Sequence, residues 1–158
     1  MRKRRRRTYY ATIRKYGKDI LDSEKFKKQD HFIQHGNITV KQHCISVANA
    51  SIKLAKLLRI PYKERELVRG ALLHDYFLYD WHLPHKDNNR LHGFTHPKVA
   101  LRNATRDFHL ADHEKEIIKH HMWPLTPVPP KNREAWIVNF ADTYCSLLET
   151  LHIHKNRK

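Results

Sequence analysis

Long apolar runs, glycine and cysteine are all scarce in this 158-residue chain. No stretch approaches the roughly 20 apolar residues of a membrane-spanning helix, and no apolar secretory segment opens the chain. Four glycines and few alternating apolar patterns argue against a sheet-rich fold. The two cysteines, Cys44 and Cys145, lie inside apolar helical patterns. We therefore expect a cytoplasmic protein with reduced core cysteines, a disulfide between them being the less favoured alternative.

Acidic residues are also scarce: there are 16 Asp and Glu but 31 Lys and Arg, which gives a formal net charge of +15. Residues 2–7 are all basic, and we interpret residues 1–8 as a disordered basic arm. A field of this sign attracts anions such as nucleotides, polyphosphates, nucleic acid or acidic lipid. The basic run contains no interleaved aromatic residues that would stack single-stranded bases, and a purely solubilising role explains it equally well.

We interpret residues 9–158 as one domain, because 40% apolar and 10% aromatic residues suffice for a single core at this length. Apolar residues recur at helical spacing, which predicts an all-α bundle of about six helices. The predicted helices cover residues 9–28 with a break at Gly17, 39–58 with Thr39 as cap, 64–79, 96–108, 112–121 with Asp112 as cap, and 132–151. Gly36 predicts a turn, and four prolines between residues 124 and 130 exclude a helix there. The predicted buried face of the last helix contains Trp136, Val138, Ala141, Cys145 and Leu148.

Polar side chains interrupt or border the apolar faces of these helices, namely His43, His74, Asp75, His96, His121 and Asp142. Burying an unpaired carboxylate costs on the order of several kcal/mol, so such groups are normally paired or bound to metal. Each histidine alone is better explained by a hydrogen bond or a surface position, and Asp142 alone by an arginine partner. Helices of a bundle converge on a shared interior, however, so the set as a whole predicts a metal site.

The order His43, His74-Asp75 and Asp142, on helices of one domain, resembles the HD superfamily of metal-dependent phosphohydrolases over residues 35–149. Three stretches carry this resemblance: His-Cys-Ile-Ser-Val-Ala from His43, Gly-Ala-Leu-Leu-His-Asp ending at Asp75, and Asn-Phe-Ala-Asp-Thr around Asp142. The resemblance implies an HD-like helical bundle in which these four residues hold a divalent ion.

Two further stretches resemble the additional histidines of the binuclear branch: His96 in Gly-Phe-Thr-His-Pro, and the doublet His120-His121 before Met-Trp-Pro. They imply two divalent ions that share Asp75, most simply Mn²⁺ or Fe²⁺, with Zn²⁺, Co²⁺, Ni²⁺ or Mg²⁺ as alternatives. His121 continues an apolar helix face, so it is the preferred ligand and His120 the second choice. The resemblance leaves open whether a third ion binds to both His120 and His121.

The implied activity is hydrolysis of a phosphoester or phosphoanhydride bond in a nucleotide-like substrate, with a metal-bridging hydroxide as nucleophile. His74 and Asp75 are then catalytic, and Lys98, Arg102 and His35 are candidates for substrate binding. Tyr-Phe-Leu follows the doublet instead of the Gly-Lys frequent in cyclic-dinucleotide phosphodiesterases, which argues against that substrate. The alternative is a nucleic-acid-binding or regulatory protein with a structural metal and a basic N-terminal arm.

Three more histidines, His82, His85 and His92, lie in predicted loops together with Asp80. For these histidines, as for His35, a surface or substrate-contacting role is favoured over metal binding. Asp80 is interpreted as a surface carboxylate, with proton transfer as the alternative. The sequence makes no prediction about the oligomeric state.

Overall fold

Helices dominate the computed structural model, which describes the backbone of residues 2–84 and 91–155 and the side chains of residues 9–84 and 91–151. The predicted all-α bundle is confirmed, with seven α-helices in this described part where about six were expected. They are α1 (Arg2–Asp22), α2 (Glu24–Lys28), α3 (Val40–Leu57), α4 (Glu64–Leu73), α5 (His92–Asp107), α6 (Asp112–His120) and α7 (Arg133–Lys155). None of the helices described here combines the length and the apolar composition that crossing a membrane requires.

Local sequence signals explain where several elements start and bend. The Thr39 hydroxyl accepts a hydrogen bond from the Gln42 amide, and the Gln42 side chain accepts one from the Thr39 amide, so α3 begins where predicted. Gly17 is non-helical and divides α1 into two helical pieces. A short antiparallel hairpin, β1 (Ile33–His35) and β2 (Ile38–Thr39), turns at Gly36, whose φ of 58° favours glycine. The turn was predicted but the two strands were not.

α4 lies at the centre of the bundle. Residues 67–73 are buried without interruption, which requires neighbouring elements on every side of this helix. α1, α3, α6 and α7 supply those neighbours. The one charged residue in the run, Arg69, forms ion pairs with Glu114 of α6 and Asp19 of α1, so its buried charge is compensated.

The prediction that a helix continues to residue 79 is wrong, because α4 ends at Leu73. His74 closes the helix and Asp75 follows it in a turn. Leu78 adopts a left-handed conformation with a φ of 62°, which a continuous helix cannot contain. The doublet therefore lies at the end of the central helix, where the chain turns, and not inside a helical face.

Two other helix starts differ from those predicted. α5 begins at His92, one turn earlier, so Pro97 lies inside the helix and not at its first position. Ala111, not Asp112, is the N-cap residue of α6, and the Glu114 carboxylate accepts the hydrogen bond of the Ala111 amide. The Glu114 side chain, three residues after the N-cap, thus provides the capping interaction that Asp112 was expected to provide.

The backbone of residues 2–8 continues α1, and the side chains of residues 1–8 lie outside those described, so the basic arm stays a prediction. The predicted buried face of the last helix differs at one position. On α7, Leu148 is 38% exposed and does not belong to the buried face. The adjacent Glu149 faces His43 of α3 instead, which turns Leu148 outward. Cys44 and Cys145 are buried and free, as expected.

Candidate metal centre

Six polar side chains selected from the sequence converge at the end of α4, and all are at most 9% exposed. His43 lies in the first turn of α3, and His74 and Asp75 lie at the end of α4. His96 lies in the second turn of α5, His121 at the end of α6 and Asp142 in the middle of α7. Residues separated by about a hundred positions therefore meet inside the bundle.

The Asp75 carboxylate lies between two sets of histidines. Its Oδ1 atom is 3.1 Å from His96 Nε2 and 3.3 Å from His121 Nε2. Its Oδ2 atom is 3.4 Å from His74 Nε2 and 3.8 Å from His43 Nε2. A carboxylate in this position can offer one oxygen to each of two neighbouring cations.

Asp142 completes the side of the centre that contains His43 and His74. Its Oδ1 atom is 3.0 Å from His43 Nε2 and 3.6 Å from His74 Nε2. Ligand atoms held about 2.0–2.2 Å from one ion in four- or six-coordinate geometry are about 3.0–3.5 Å apart. The separations around Asp142 are close to this range, so these side chains could hold an ion without rearranging.

Three groups of these side chains could each hold a metal ion, because in each group the potential ligand atoms lie within 4.8 Å of one another. The groups share members, so the possible ion positions adjoin. They are His43 with His74 and Asp75, His74 with His121 and Asp142, and Asp75 with His96 and His121.

Three of the imidazole rings are oriented by hydrogen bonds to the backbone. The Nδ1 atoms of His74, His96 and His121 lie 2.7, 2.9 and 2.8 Å from carbonyl oxygens three or four residues earlier in the chain. A carbonyl can only accept, so Nδ1 carries the proton and, in the neutral ring, Nε2 presents its lone pair to the centre. The helical backbone itself therefore sets the tautomer that metal binding requires.

His43 is oriented differently, through a carboxylate. Its Nδ1 atom is 2.9 Å from Glu149 Oε2, while its Nε2 atom faces Asp142. Burial lowers the pKa of His43, but the hydrogen bonds to Asp142 and Glu149 outweigh burial and raise the pKa to about 10. Glu149 was not selected from the sequence. Its spacing of seven residues from Asp142, two helical turns on one face, is the signal that could have identified it.

Side-chain amides hold the backbone and the carboxylate of the centre in place. Gln34 of the hairpin donates to Asp75 Oδ2 at 2.9 Å, and Gln29 donates to the Asp75 carbonyl at 3.0 Å. Asn139 of α7 donates to the His121 carbonyl at 2.7 Å. None of these amides was predicted from the sequence, since an isolated Gln or Asn is ordinary on a protein surface.

The electrostatics of the centre fit a cation. His74 Nε2 and Asp75 Oδ1 are buried and make no hydrogen bond. Burial raises the pKa of Asp75, but the positive charge of His74 and the adjacent His121 and His96 rings outweigh burial and hold this pKa well below its ordinary value. Ionised carboxylates at this depth require positive charge beside them. Imidazole nitrogen and carboxylate oxygen together suit a borderline or hard divalent ion.

Other candidates from the sequence lie outside this cluster. His120 is buried, but its Nδ1 atom pairs with Glu116 at 2.7 Å and it belongs to none of the three groups, so the geometry favours His121. Lys98 and Arg102 are exposed on α5. His35 is half-buried at the edge of the centre, with its ring 6.1 Å from that of His43.

The histidines assigned to loops have different surroundings. His82 is exposed, and its Nδ1 atom is 3.1 Å from Asp80 Oδ1. His92 is not in a loop: it is the first residue of α5, and its ring stacks on His96 with a centroid distance of 4.7 Å. His85 lies outside the described residues. Thus His92 directly contacts the centre, which the sequence did not predict.

In comparisons with known proteins, no family model, no curated protein and no solved structure matches this chain. The fold and the site define it as an all-α bundle with buried His/Asp groups that could hold metal ions.

Proposed function

We propose that this chain is a metal-dependent phosphohydrolase with places for two divalent ions, as its resemblance to the HD superfamily implies. The position of Asp75 carries the proposal, since its two oxygens face two different sets of histidines. One structural ion needs about four ligands, whereas six candidate ligands meet here. The net charge of +15 favours an anionic substrate, and we infer a phosphoester or phosphoanhydride of a nucleotide-like molecule.

The side chains divide into two ligand sets that share Asp75. When bound, divalent ions of the Mn²⁺ or Fe²⁺ type make water nucleophilic near neutral pH and offset charge on phosphoryl oxygens. The chain contributes Nε2 atoms held in one tautomer, and a buried setting that limits access of bulk water. One proposed set is His43, His74, Asp75 and Asp142, and the other is Asp75, His96 and His121.

The proposal is tested by replacing the shared carboxylate. Asp75→Ala should lower kcat/KM for an aryl phosphodiester with Mn²⁺ at least about 10³-fold, because both ions lose a ligand. Asp112→Ala removes an exposed carboxylate from the start of α6 and should leave the rate unchanged. Elemental analysis of the wild-type chain should approach two ions.

Three results would contradict this proposal in whole or in part. Turnover in Asp75→Ala equal to that of the wild type would exclude the shared carboxylate as a participant. Tightly bound metal without turnover on phosphodiesters, dinucleoside polyphosphates and nucleoside monophosphates would favour a structural metal instead. A content of one ion, with His96→Ala unaffected, would reduce the centre to its first ligand set.

A further inference from the structure

A groove lies between the first half of α1, the second half of α3 and the middle of α7, and it encloses about 990 Å³. This volume is at the upper end of the range of about 300–1,000 Å³ that is typical of ligand sites. None of the six side chains of the candidate metal centre lines it. The phosphohydrolase proposal therefore assigns no role to this groove.

The charge of the groove has one sign. Lys53 and Lys56 of α3 line it together with Arg59, which follows that helix, and all three are exposed. Among the residues whose side chains are described, no aspartate or glutamate lines the groove. Basic residues spaced along a groove neutralise successive phosphates of a nucleic-acid backbone.

Tyrosine rings line the same groove from the other two helices. Tyr10 of α1 is 51% exposed and Tyr144 of α7 is 57% exposed. Tyr9 is half-buried beside them, and Lys56 Nζ lies 5.3 Å from the centre of its ring. Exposed aromatic rings in a basic groove are the surfaces on which unpaired bases stack. The bases of a duplex are already stacked on one another, so this combination favours a single strand.

We propose that this groove binds single-stranded nucleic acid, with phosphates on its three basic residues and bases on its two exposed tyrosines. The order of the chain supports this partner, because only Thr8 separates the basic residues 2–7 from the tyrosines of α1. In the sequence, positive charge is thus concentrated next to the tyrosines of the groove. The binding is independent of the metal centre, so Asp75→Ala should bind a single strand as tightly as the wild type.

The experiment is a fluorescence-anisotropy titration of the full chain with a labelled single-stranded oligonucleotide and with the matching duplex, repeated over a range of salt concentrations. Lys53→Ala/Lys56→Ala should weaken single-strand binding and reduce the slope of log K against log salt by about 1.4, since each lost phosphate contact contributes about 0.7. The control Lys18→Ala/Lys119→Ala removes the same charge from exposed positions outside the groove and should leave the slope unchanged.

A second pair of variants tests stacking. Tyr144→Ala should weaken single-strand binding about tenfold, whereas Tyr144→Phe keeps the ring and should bind like the wild type. Because this side chain is exposed, neither change disturbs the core.

Several results would overturn the proposal. Equal weakening by the two double-lysine variants would show that only net charge matters, and duplex binding as tight as single-strand binding would remove the role of the tyrosines. A single-strand affinity of Tyr144→Ala equal to that of the wild type would likewise exclude stacking on the tyrosines. A dimer in light scattering that Tyr144→Ala dissociates would identify a second copy as the occupant, since α7 also exposes Phe140, Leu147 and Leu151 at spacings suited to helix pairing.

Discussion

Four imidazole rings of the candidate centre are each held through Nδ1, the nitrogen that points away from it. For three of them the partner is a backbone carbonyl, which substitution cannot remove. For His43 the partner is the Glu149 carboxylate. The orientation of this ring is therefore the one that a side-chain replacement can test.

We expect Glu149→Ala to lower the affinity for Mn²⁺ by about 10- to 100-fold, because carboxylates that orient ligand histidines contribute on this scale. Glu149→Gln retains an oxygen that can accept the Nδ1 proton and should recover part of the loss. Competition with a fluorescent chelator measures the affinity. Glu24→Ala removes an exposed carboxylate of α2 as a control. Equal affinities for wild type and Glu149→Ala would show that His43 needs no such partner.

At the scale of helices, Gly70 of α4 packs tightly against Ile117 of α6. A Cβ added there would lie 2.9 Å from both Cβ and Cγ2 of Ile117, atoms next to the backbone that cannot move aside. A Cβ added at Gly93 of α5 would meet only the end of the exposed Leu125 side chain, at 2.9 Å.

Gly70→Ala should therefore lower the free energy of unfolding by about 1–3 kcal/mol, as overpacked cores do, despite the better helix propensity of alanine. Gly93→Ala makes the same chemical change in a helix and should be neutral or slightly stabilising. Urea denaturation measures both. Equal stability of the two variants would mean that α6 can shift away from α4 at little energetic cost.

A second link between helices joins α2 to the end of α5. The Asp107 carboxylate accepts hydrogen bonds from Arg106, from Lys25 of α2 at 2.7 Å and from the Tyr76 hydroxyl at 3.2 Å. The bond from Arg106, together with that from Lys25, holds the pKa of Asp107 well below its ordinary value. A carboxyl whose pKa is lower in the folded chain stabilises the fold when it is ionised.

Asp107→Asn should consequently lower the free energy of unfolding by about 1–3 kcal/mol at pH 7, the scale of a charged hydrogen bond. This difference from the wild type is fully present above the unfolded-state pKa of about 3.9 and is lost as the pH falls through the lower folded-state value. Urea denaturation at several pH values between 7 and 3 follows it. A difference that grows on acidification would assign the stabilisation to another group.

At the scale of the whole molecule, an ion in the centre would connect α3, α5 and α7 to the ends of α4 and α6. The buried carboxylates there repel one another unless positive charge lies between them. Binding of a metal ion there would therefore be coupled to folding, since the six side chains are far apart in an unfolded chain.

Mn²⁺ at about 100 times its dissociation constant should raise the free energy of unfolding by about 2.7 kcal/mol, and a chelator should reverse the gain. The free energy of unfolding of Asp75→Ala should rise much less on addition of Mn²⁺, because this variant lacks the shared ligand. Urea denaturation with and without Mn²⁺ measures the effect. An unchanged wild-type stability would mean that the groups in the bundle bind no ion under these conditions.

Local rules account for much of this protein. The start of α3 at its Thr39 cap, the break at Gly17 and the turn at Gly36 follow from interactions within a few residues, which the order of the chain specifies. The six metal-ligand candidates were also recognisable, because a buried helix face tolerates ionisable groups only where they are paired or bound to metal. The end of α4 was not predictable in this way, since its turn depends on what surrounds it.

The packing of the helices decided the rest. Glu149 faces His43, and Gln34 reaches Asp75, only because elements distant in the chain lie side by side. The sequence likewise shows no aromatic residue within the basic run, yet the bundle places Tyr144 of α7 in one groove with the lysines of α3. Spacing along a helix determines which face a residue occupies, whereas its neighbours depend on how helices pack in three dimensions.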